Sequence, residues 1–173
     1  MFFKNRYASP LGEMIMLSDG ESLTNLNFID DKFYPAALAA QSQEAHLPVF
    51  DAAAKWLDVY FAGNNPGALP PLSLQGSAFS LQVWRLLAQI PYGGVVTYKE
   101  LAQKIAAQRG LTAMSAQAVG GAVGHNPVCI MVPCHRVVGT NGSLTGYAGG
   151  LWRKERLLQL EGFAVQNLFA VSR

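Results

Sequence analysis

The sequence predicts a two-part α+β protein, in which a small antiparallel sheet with a helix is followed by a mostly helical region carrying short strands. Segments rich in β-branched and aromatic residues alternate with polar breaks in the first thirty residues. Apolar residues at helical spacing recur after residue 78, and a segment rich in proline and glycine separates the two parts. A chain of 173 residues, half of them apolar, is long enough to bury a core of this kind.

The N-terminal part is predicted to form a three-stranded meander with one helix packed on it. Residues 2–9, 13–20 and 22–30 have the composition of strands. Residues 51–62 place apolar side chains at helical spacing, and Gly63 follows as a stop signal.

A domain boundary is predicted at residues 64–77, which contain three prolines and two glycines. We therefore expect an α+β domain over residues 1–70 and a second domain over residues 78–173. The charge changes at the same place. Residues 1–78 hold 4 Lys and Arg against 8 Asp and Glu, a net of −4, whereas residues 79–173 hold 9 against 3, a net of +6. This is either ordinary surface variation or a surface that faces a polyanion.

The second part is predicted to begin with three helices. Residues 79–90 show 3.6-residue periodicity. Thr97 and Glu100 form a capping box, so a helix is expected over about residues 98–108. A further helix is expected over residues 115–125, and the short connection makes the pair a helix-turn-helix candidate.

The second helix of this pair is unusual because it contains Gly120, Gly121 and Gly124. Each glycine inside a helix costs about 1 kcal/mol relative to alanine, so a close approach to the helix backbone is expected. Either another helix packs tightly against it or nucleic acid approaches it. Composition alone leaves both interpretations open.

Several classes of protein are disfavoured. No window reaches the ~18 consecutive apolar residues of a membrane span, and charged residues interrupt the N-terminus where a signal peptide would be apolar. We expect an intracellular, cytoplasmic protein with no membrane partner. The two cysteines, Cys129 and Cys134, are too few for a disulfide framework and lack metal-ligand spacing, so no metal is expected. On one continuous strand they would point to opposite faces and would not pair.

Cys134 lies in the apolar run 130–139, which otherwise has the composition of a buried strand. A cysteine in such a run is most often an inert core residue. Pro133 cannot donate to a sheet, so a strand would end or lie at an edge near Cys134. His135 and Arg136 supply positive charge that favours the nucleophilic thiolate. Neighbours in an extended chain point apart, so His135 would need a bent backbone or a bridging water to act as a base.

The motif PCHRV at residues 133–137, preceded by AVGGAVGHNP and followed by GSLTGYAGGLWRKERLLQLEG, resembles the O6-alkylguanine-DNA alkyltransferase family. The matching series runs from about residue 79 to residue 162 and includes VW at 83–84, IPYG at 90–93 and TYKELA at 97–102. The N-terminal meander, helix and linker agree with the variable first domain of the family.

The resemblance implies direct DNA repair. The helix-turn-helix would bind duplex DNA from the minor groove, and the damaged guanine would rotate out of the stack, since its O6 atom is inaccessible within a duplex. The alkyl group of O6-alkylguanine would then pass irreversibly, once per protein molecule, to Cys134. Displacement at an alkyl carbon needs a soft nucleophile, which a thiolate provides. Whether O4-alkylthymine is also a substrate stays open.

The family pattern also implies roles for the residues around the cysteine. His135 would be the base that acts on Cys134 through water, and Glu161 would orient the imidazole, as in a relay. Asn126 would fix the turn between the recognition helix and the active-site segment. Arg136 is expected among the groups that serve DNA binding, mainly in a structural or electrostatic role.

The remaining site residues are expected to bind DNA or the extrahelical base. Tyr98 would help to rotate the nucleotide and bind the base, and Lys99 and Thr140 would contact the DNA backbone. The base pocket is expected to be formed by Tyr98, Val137, Thr145, Tyr147 and Ala148. Without the resemblance, Tyr98 would be taken as a packing residue and the segment around Tyr147 as a glycine-rich surface loop.

Two positions depart from the family pattern. The arginine that commonly fills the space of the extruded base is replaced by Gln117, which can hydrogen-bond but lacks charge and guanidinium stacking. Thr145 stands where some members have glycine, and its branched side chain would reshape the alkyl site.

Two other functions remain as alternatives: a Cys–His hydrolase, which would need an oxyanion hole, and a module that recognises alkylated bases without reacting. The alkyltransferase interpretation predicts no cofactor, double-stranded DNA as the partner, and a monomer.

Overall fold

The computed structural model describes residues 1–164 and the backbone of residues 169–170. The chain forms two compact units: Met1–Gln75 with Pro127–Cys129, and Gly76–Asn126 with the chain from Ile130 onward. No helix within the described residues is long and apolar enough to cross a membrane.

The first unit is built on a four-stranded sheet. β1 (Phe3–Ser9), β2 (Gly12–Ser18) and β3 (Leu23–Phe28) form the predicted antiparallel meander. A two-residue strand, β4 (Gln43–Glu44), pairs in parallel with β1 and gives the order β3-β2-β1-β4. The sequence did not predict β4, because two exposed polar residues carry no strand signal and only main-chain pairing with β1 defines them.

Two helices accompany this sheet, α1 (Ala36–Gln41) and α2 (Pro48–Phe61). The predicted helix corresponds to α2, which begins three residues earlier than expected because Pro48 lies in the first turn, where no main-chain N–H is required. Its inward face buries Ala53, Leu57 and Tyr60, and it contacts β1 and β3. The helix therefore packs on the meander as predicted.

The segment Pro127–Cys129 joins the first unit through β3. The Leu26 N–H donates to the Pro127 carbonyl at 2.9 Å, and the Cys129 N–H donates to the Leu26 carbonyl at 2.9 Å. Sequence reasoning did not anticipate this return of the chain, since residues so distant in sequence share no local pattern.

The described part of the second unit contains four α-helices: α3 (Ala78–Ala88), α4 (Tyr98–Gln108), α5 (Ala116–Gly124) and α6 (Leu151–Leu160). Both bonds of the predicted capping box are present at the start of α4, where the Glu100 N–H donates to Thr97 Oγ1 at 3.0 Å and the Thr97 N–H donates to the Glu100 carboxylate at 3.4 Å. The helices α3, α4 and α5 contact one another, and α4 and α5 form the predicted helix-turn-helix. Together the two units confirm the α+β class.

Helix α6 was not predicted because charged residues occupy its inward face. Arg153 and Lys154 are buried beside Leu157 and Leu158, so the apolar periodicity that would have revealed the helix is interrupted.

Short parallel pairs of strands flank the cysteine segment. β5 (Val96–Thr97) pairs with β6 (Val137–Val138), and β7 (Ser143–Leu144) pairs with β8 (Phe169–Ala170). The apolar run 130–139 is not one continuous strand, since β6 covers only two of its residues, and both follow Cys134.

The cysteine segment bends for a local reason. Ile130 has φ +72°, in the left-handed region that β-branched residues rarely adopt, and residues Cys134–Arg136 form one turn of 3₁₀ helix. The argument that Cys129 and Cys134 lie on opposite faces of one strand therefore does not apply. Both are buried thiols and are not joined by a disulfide.

Candidate active site and nucleic-acid interface

The turn that presents Cys134 is built around the Val132 carbonyl. Pro133, at φ −85° and ψ 66°, forms an inverse γ-turn in which the Cys134 N–H donates to Val132 O at 2.9 Å. The buried side chain of Asn126 donates to the same carbonyl at 2.6 Å. Asn126, which follows the C-terminus of α5, thus ties this helix to the cysteine turn.

Cys134 begins the 3₁₀ turn and His135 and Arg136 complete it. The backbone is therefore bent here, as His135 would require in order to approach its neighbour. Cys134 is 7% exposed and His135 is 0% exposed, so the thiol lies just beneath the surface and the imidazole is fully enclosed.

Glu161 joins the two residues that follow the cysteine. His135 Nε2 lies 2.5 Å from Glu161 Oε2, and Arg136 Nε donates to Glu161 Oε1 at 2.7 Å. The carboxylate is itself buried at the C-terminal end of α6. Buried charges in proteins are generally paired and hydrogen-bonded, and this carboxylate meets both conditions.

The IPYG turn completes this network with main-chain groups. The Gly93 N–H donates to Glu161 Oε1 at 3.1 Å, and Arg136 Nη1 donates to the Ile90 carbonyl at 2.7 Å. Gly93 adopts φ +78°, and a Cβ there would lie 3.3 Å from the Glu161 carbonyl oxygen. The sequence marked this motif only as part of the family series. In the structure, the IPYG turn holds the Glu161 carboxylate and the Arg136 guanidinium in place.

Burial lowers the pKa of His135 below its ordinary value, although Glu161 beside it favours the charged form; Arg136 and Lys154 lower the pKa further. The imidazole is therefore neutral at physiological pH. With Nε2–H donating to Glu161, the Nδ1 atom carries the lone pair that can accept a proton.

Arg136 was expected among the groups that serve DNA binding, mainly in a structural or electrostatic role, and its position fits a structural role rather than contact with DNA. Its guanidinium is buried and committed to Glu161 and Ile90, so it is not a surface cation that DNA phosphates can reach.

A second group of polar contacts joins Tyr98 and Lys154 to the loop that follows β7. The Tyr98 hydroxyl, at the start of α4, donates to the Thr145 carbonyl at 3.0 Å. Lys154 Nζ, from α6, donates to the Gly146 carbonyl at 3.1 Å and to the Tyr98 hydroxyl at 3.4 Å. These bonds connect α4, α6 and the loop between β7 and α6.

The ionisation of these two groups is tuned by burial and by the cysteine. Burial raises the pKa of Tyr98 to about 12, with a further contribution from Cys134, so the hydroxyl keeps its proton. Burial lowers the pKa of Lys154 to about 8, whereas Cys134 opposes that change. Lys154 was missed by the sequence analysis. The available signal was a lysine at a position where the helical spacing of α6 requires an apolar residue.

The expected base-pocket residues lie around the same loop. Val137 is buried in β6, and Thr145, Tyr147 and Ala148 are partly exposed between β7 and α6. Thr140 lies nearby on an exposed turn.

The recognition helix α5 presents small residues outward. Its inner face buries Val119, Ala122 and Val123, while Gln117 and Gly121 are exposed. A Cβ added at Gly120 or Gly121 would meet no heavy atom within 4 Å from other parts of the described chain. Close helix packing therefore does not explain these two glycines, which favours the alternative that an external backbone approaches them. Lys99 is exposed on the first turn of α4.

Within the described residues, no group of three or more His, Cys, Asp and Glu side chains is arranged to hold a metal ion. The reactive groups are thus a thiol, a neutral imidazole tied to a buried carboxylate, and a tyrosine–lysine pair beside a helix-turn-helix. This combination defines a thiol-dependent protein with a nucleic-acid-binding motif.

Comparison with known proteins identifies the family. The model for the DNA-binding domain of 6-O-methylguanine DNA methyltransferase matches residues 78–163, and the model for its ribonuclease-like domain matches residues 3–70. The methylated-DNA–protein-cysteine methyltransferase of Haemophilus influenzae is 41% identical over 90% of this chain and 83% of its own length. The protein of that name from Methanosarcina acetivorans is 40% identical over 90% of this chain and 96% of its own.

Solved structures agree. The Mycobacterium tuberculosis O6-methylguanine methyltransferase superposes with a TM-score of 0.80 at 39% identity, covering 93% of each chain. The OGT of the same organism in complex with DNA gives 0.80 at 39% identity, covering 92% of each chain. This chain belongs to the 6-O-methylguanine DNA methyltransferase family, which confirms the resemblance carried by the PCHRV motif and its flanking series.

Proposed function

We propose that this protein repairs duplex DNA by transferring the alkyl group of O6-alkylguanine to Cys134. The observation that carries this proposal is the hydrogen bond of the buried His135 imidazole to Glu161, next to a thiol that lies just beneath the surface. A sulfur–carbon bond forms as the carbon–O6 bond breaks, and the proton lost by the thiol ends on the released guanine. The thioether is stable, so each molecule reacts once.

The neutral imidazole is suited to take the thiol proton. Its pKa is lowered by burial, and the Nδ1 lone pair is available when Nε2–H donates to Glu161. A water between Cys134 and His135 would carry the proton, as the family pattern implies. Lys154, charged below about pH 8, would favour the thiolate.

The extrahelical guanine would enter beside Tyr98 and the loop containing Thr145, Tyr147 and Ala148. The Lys154 ammonium would be a hydrogen-bond donor at this entrance, and the Tyr98 hydroxyl, whose pKa of about 12 keeps it protonated, would become one by turning its proton from the Thr145 carbonyl to the guanine. Donors placed there would stabilise the guanine as it accepts the electron pair of the breaking bond.

DNA binding would use the helix-turn-helix. The exposed backbone at Gly120 and Gly121 would admit the minor groove, and Gln117 would occupy the space of the extruded nucleotide. Lys99 and Thr140, both exposed, would contact the DNA backbone. We assign the chemistry to the domain over residues 78–173, and a monomer suffices because one chain carries every group named.

The direct test incubates the protein with duplex DNA containing one O6-methylguanine, followed by intact and peptide mass spectrometry. We expect one added methyl group on the Cys134 peptide and no more than one per protein molecule. Repeated release of product would support a hydrolase instead. Binding without any change in mass would support a non-reacting recognition module.

The nucleophile is tested by Cys134→Ala, with Cys129→Ala as the matched control because it also removes a buried thiol. We expect Cys134→Ala to bind the damaged duplex and repair none of it, and Cys129→Ala to retain transfer. Full repair by Cys134→Ala would show that another group accepts the alkyl.

A further inference from the structure

The buried guanidinium of Arg136 is fixed by contacts with three different residues. Its Nε donates to Glu161 at 2.7 Å, its Nη1 donates to the Ile90 carbonyl at 2.7 Å, and its guanidinium carbon lies 5.8 Å from the centre of the Tyr92 ring. The residue bonds one oxygen of the Glu161 carboxylate while His135 occupies the other. Arg136 therefore acts on the His135 imidazole through Glu161, which both residues contact.

Counting the charges of these three buried groups indicates what the arginine does. With Arg136 charged and Glu161 ionised, the group has no net charge when the imidazole of His135 is neutral. Without the arginine, the group has no net charge only when the imidazole is protonated. A buried site strongly disfavours an uncompensated charge, so removing Arg136 should favour the imidazolium.

We propose that Arg136 is a positioning residue for alkyl transfer, which compensates the Glu161 carboxylate and so keeps the His135 imidazole neutral and able to accept the Cys134 proton. This inference rests on the proposed function of Cys134 and His135. It differs from the expectation of a DNA-binding role, since the guanidinium is directed inward.

Other charged and titratable groups face the same site. From α6, Lys154 also lowers the pKa of His135, and it donates hydrogen bonds to the Gly146 carbonyl and the Tyr98 hydroxyl. Cys134 influences the ionisation of Lys154 and of Tyr98 on α4. From the IPYG turn, Tyr92 has its pKa raised by burial and by Glu161, so it keeps its proton. Among these groups, Arg136 is the cation bonded to the carboxylate that orients the imidazole.

The test measures single-turnover methyl transfer from an O6-methylguanine duplex between pH 5 and 9. The base must be neutral, so the rate should rise with pH through the imidazolium pKa, which burial places below its ordinary value in the wild-type protein. Arg136→Gln keeps hydrogen-bond donors but removes the charge, whereas Arg136→Lys keeps the charge. The acid limb of the pH–rate profile is the range in which the rate rises with pH. We expect this limb to move to higher pH by about one unit in Arg136→Gln and to stay near the wild-type position in Arg136→Lys.

A double variant separates charge from structure. Glu161→Gln added to Arg136→Gln removes the carboxylate that needed compensation, so its acid limb should return to the wild-type pH or below. A merely structural role predicts no such return. The double variant removes both charges of the Arg136–Glu161 ion pair, so it leaves neither of them buried without its partner. Its pH–rate profile can therefore still be compared with that of the wild type if Arg136→Gln alone does not fold.

Coinciding acid limbs in the wild type and Arg136→Gln, or a raised limb in the double variant, would overturn the inference. Absence of methyl transfer in the wild-type protein would instead contradict the proposed function itself, so the two failures are distinguishable.

Discussion

The Lys154 side chain is 0% exposed, and within the described residues it donates hydrogen bonds to the Gly146 carbonyl and the Tyr98 hydroxyl but forms no ion pair with a carboxylate. A buried lysine is rare because burial disfavours its charge. Here burial lowers the pKa to about 8, and Cys134 is the group that opposes this change. A Cys134 thiolate would therefore stabilise the Lys154 ammonium and be stabilised by it, which would connect this lysine to the chemistry.

We expect Lys154→Met to slow single-turnover methyl transfer by about tenfold or more at pH 7, since loss of a neighbouring cation raises a thiol pKa by about one unit or more. The deficit relative to wild type should shrink above about pH 8, where the wild-type ammonium loses its proton. Lys55→Met, which alters an exposed lysine of α2, is the control and should leave the rate unchanged. Equal rates for Lys154→Met and wild type across this range would exclude the electrostatic role.

Gln117 is exposed on the first turns of α5, where an intercalating side chain would need to be. We expect Gln117→Ala to lower the repair rate because the space of the extruded base is left unfilled, and Gln117→Arg to raise DNA affinity through added charge and stacking. Stopped-flow transfer and equilibrium binding measure the two effects. If both variants matched wild type in rate and affinity, Gln117 would have no part in flipping.

Helices and turns determine how these residues meet. The 3₁₀ turn at Cys134 depends on the γ-turn at Pro133, the left-handed backbone at Ile130 and the bond from Asn126. Backbone conformations of the kind seen at Ile130 cost about 1–3 kcal/mol and are retained where surrounding structure enforces them. The element that carries the nucleophile is therefore held in place by its neighbours and not by intrinsic propensity.

The glycines of α5 allow a prediction in which stability and function change in opposite directions. Gly121→Ala should raise the free energy of unfolding by about 1 kcal/mol, because a Cβ there meets nothing in the described chain and alanine is the better helix former. The same variant should weaken binding to duplex DNA, since the Cβ would lie where the minor groove approaches. Chemical denaturation and fluorescence anisotropy are the measurements. Higher stability with unchanged affinity would place the DNA elsewhere.

At the scale of the whole molecule, the net charge of residues 79–173 overstates the positive charge that lies at the surface. Among the described Lys and Arg after residue 78, three are buried: Arg136, Arg153 and Lys154. Glu161 is buried with them, so the buried groups carry a net charge of 3 − 1 = +2 out of the +6 of that region. The positive charge available to DNA is thus smaller than +6, and the rest serves the site and interior bonds such as that from Arg153 to the Gly149 carbonyl.

We therefore expect a moderate dependence of DNA affinity on salt. If about three cations contact phosphates, affinity should fall by a few tens of fold between 50 and 200 mM salt, and Lys99→Gln should reduce the logarithmic slope by about one. Binding titrations over this range provide the measurement. A slope of zero would exclude the phosphate contacts proposed for the helix-turn-helix.

The sequence by itself determined the α+β class, the meander, the capped helix α4, the helix-turn-helix and the family, because each depends on local periodicity, capping or an ordered motif. It identified Cys134, His135 and Glu161 through the motif alone. Only the tertiary structure decided that Arg136 points inward, that Lys154 bonds to Tyr98, that residues 127–129 return to β3 and that residues 130–136 turn instead of forming a strand. These features depend on burial and on partners distant in the chain, and no local pattern of residues encodes either.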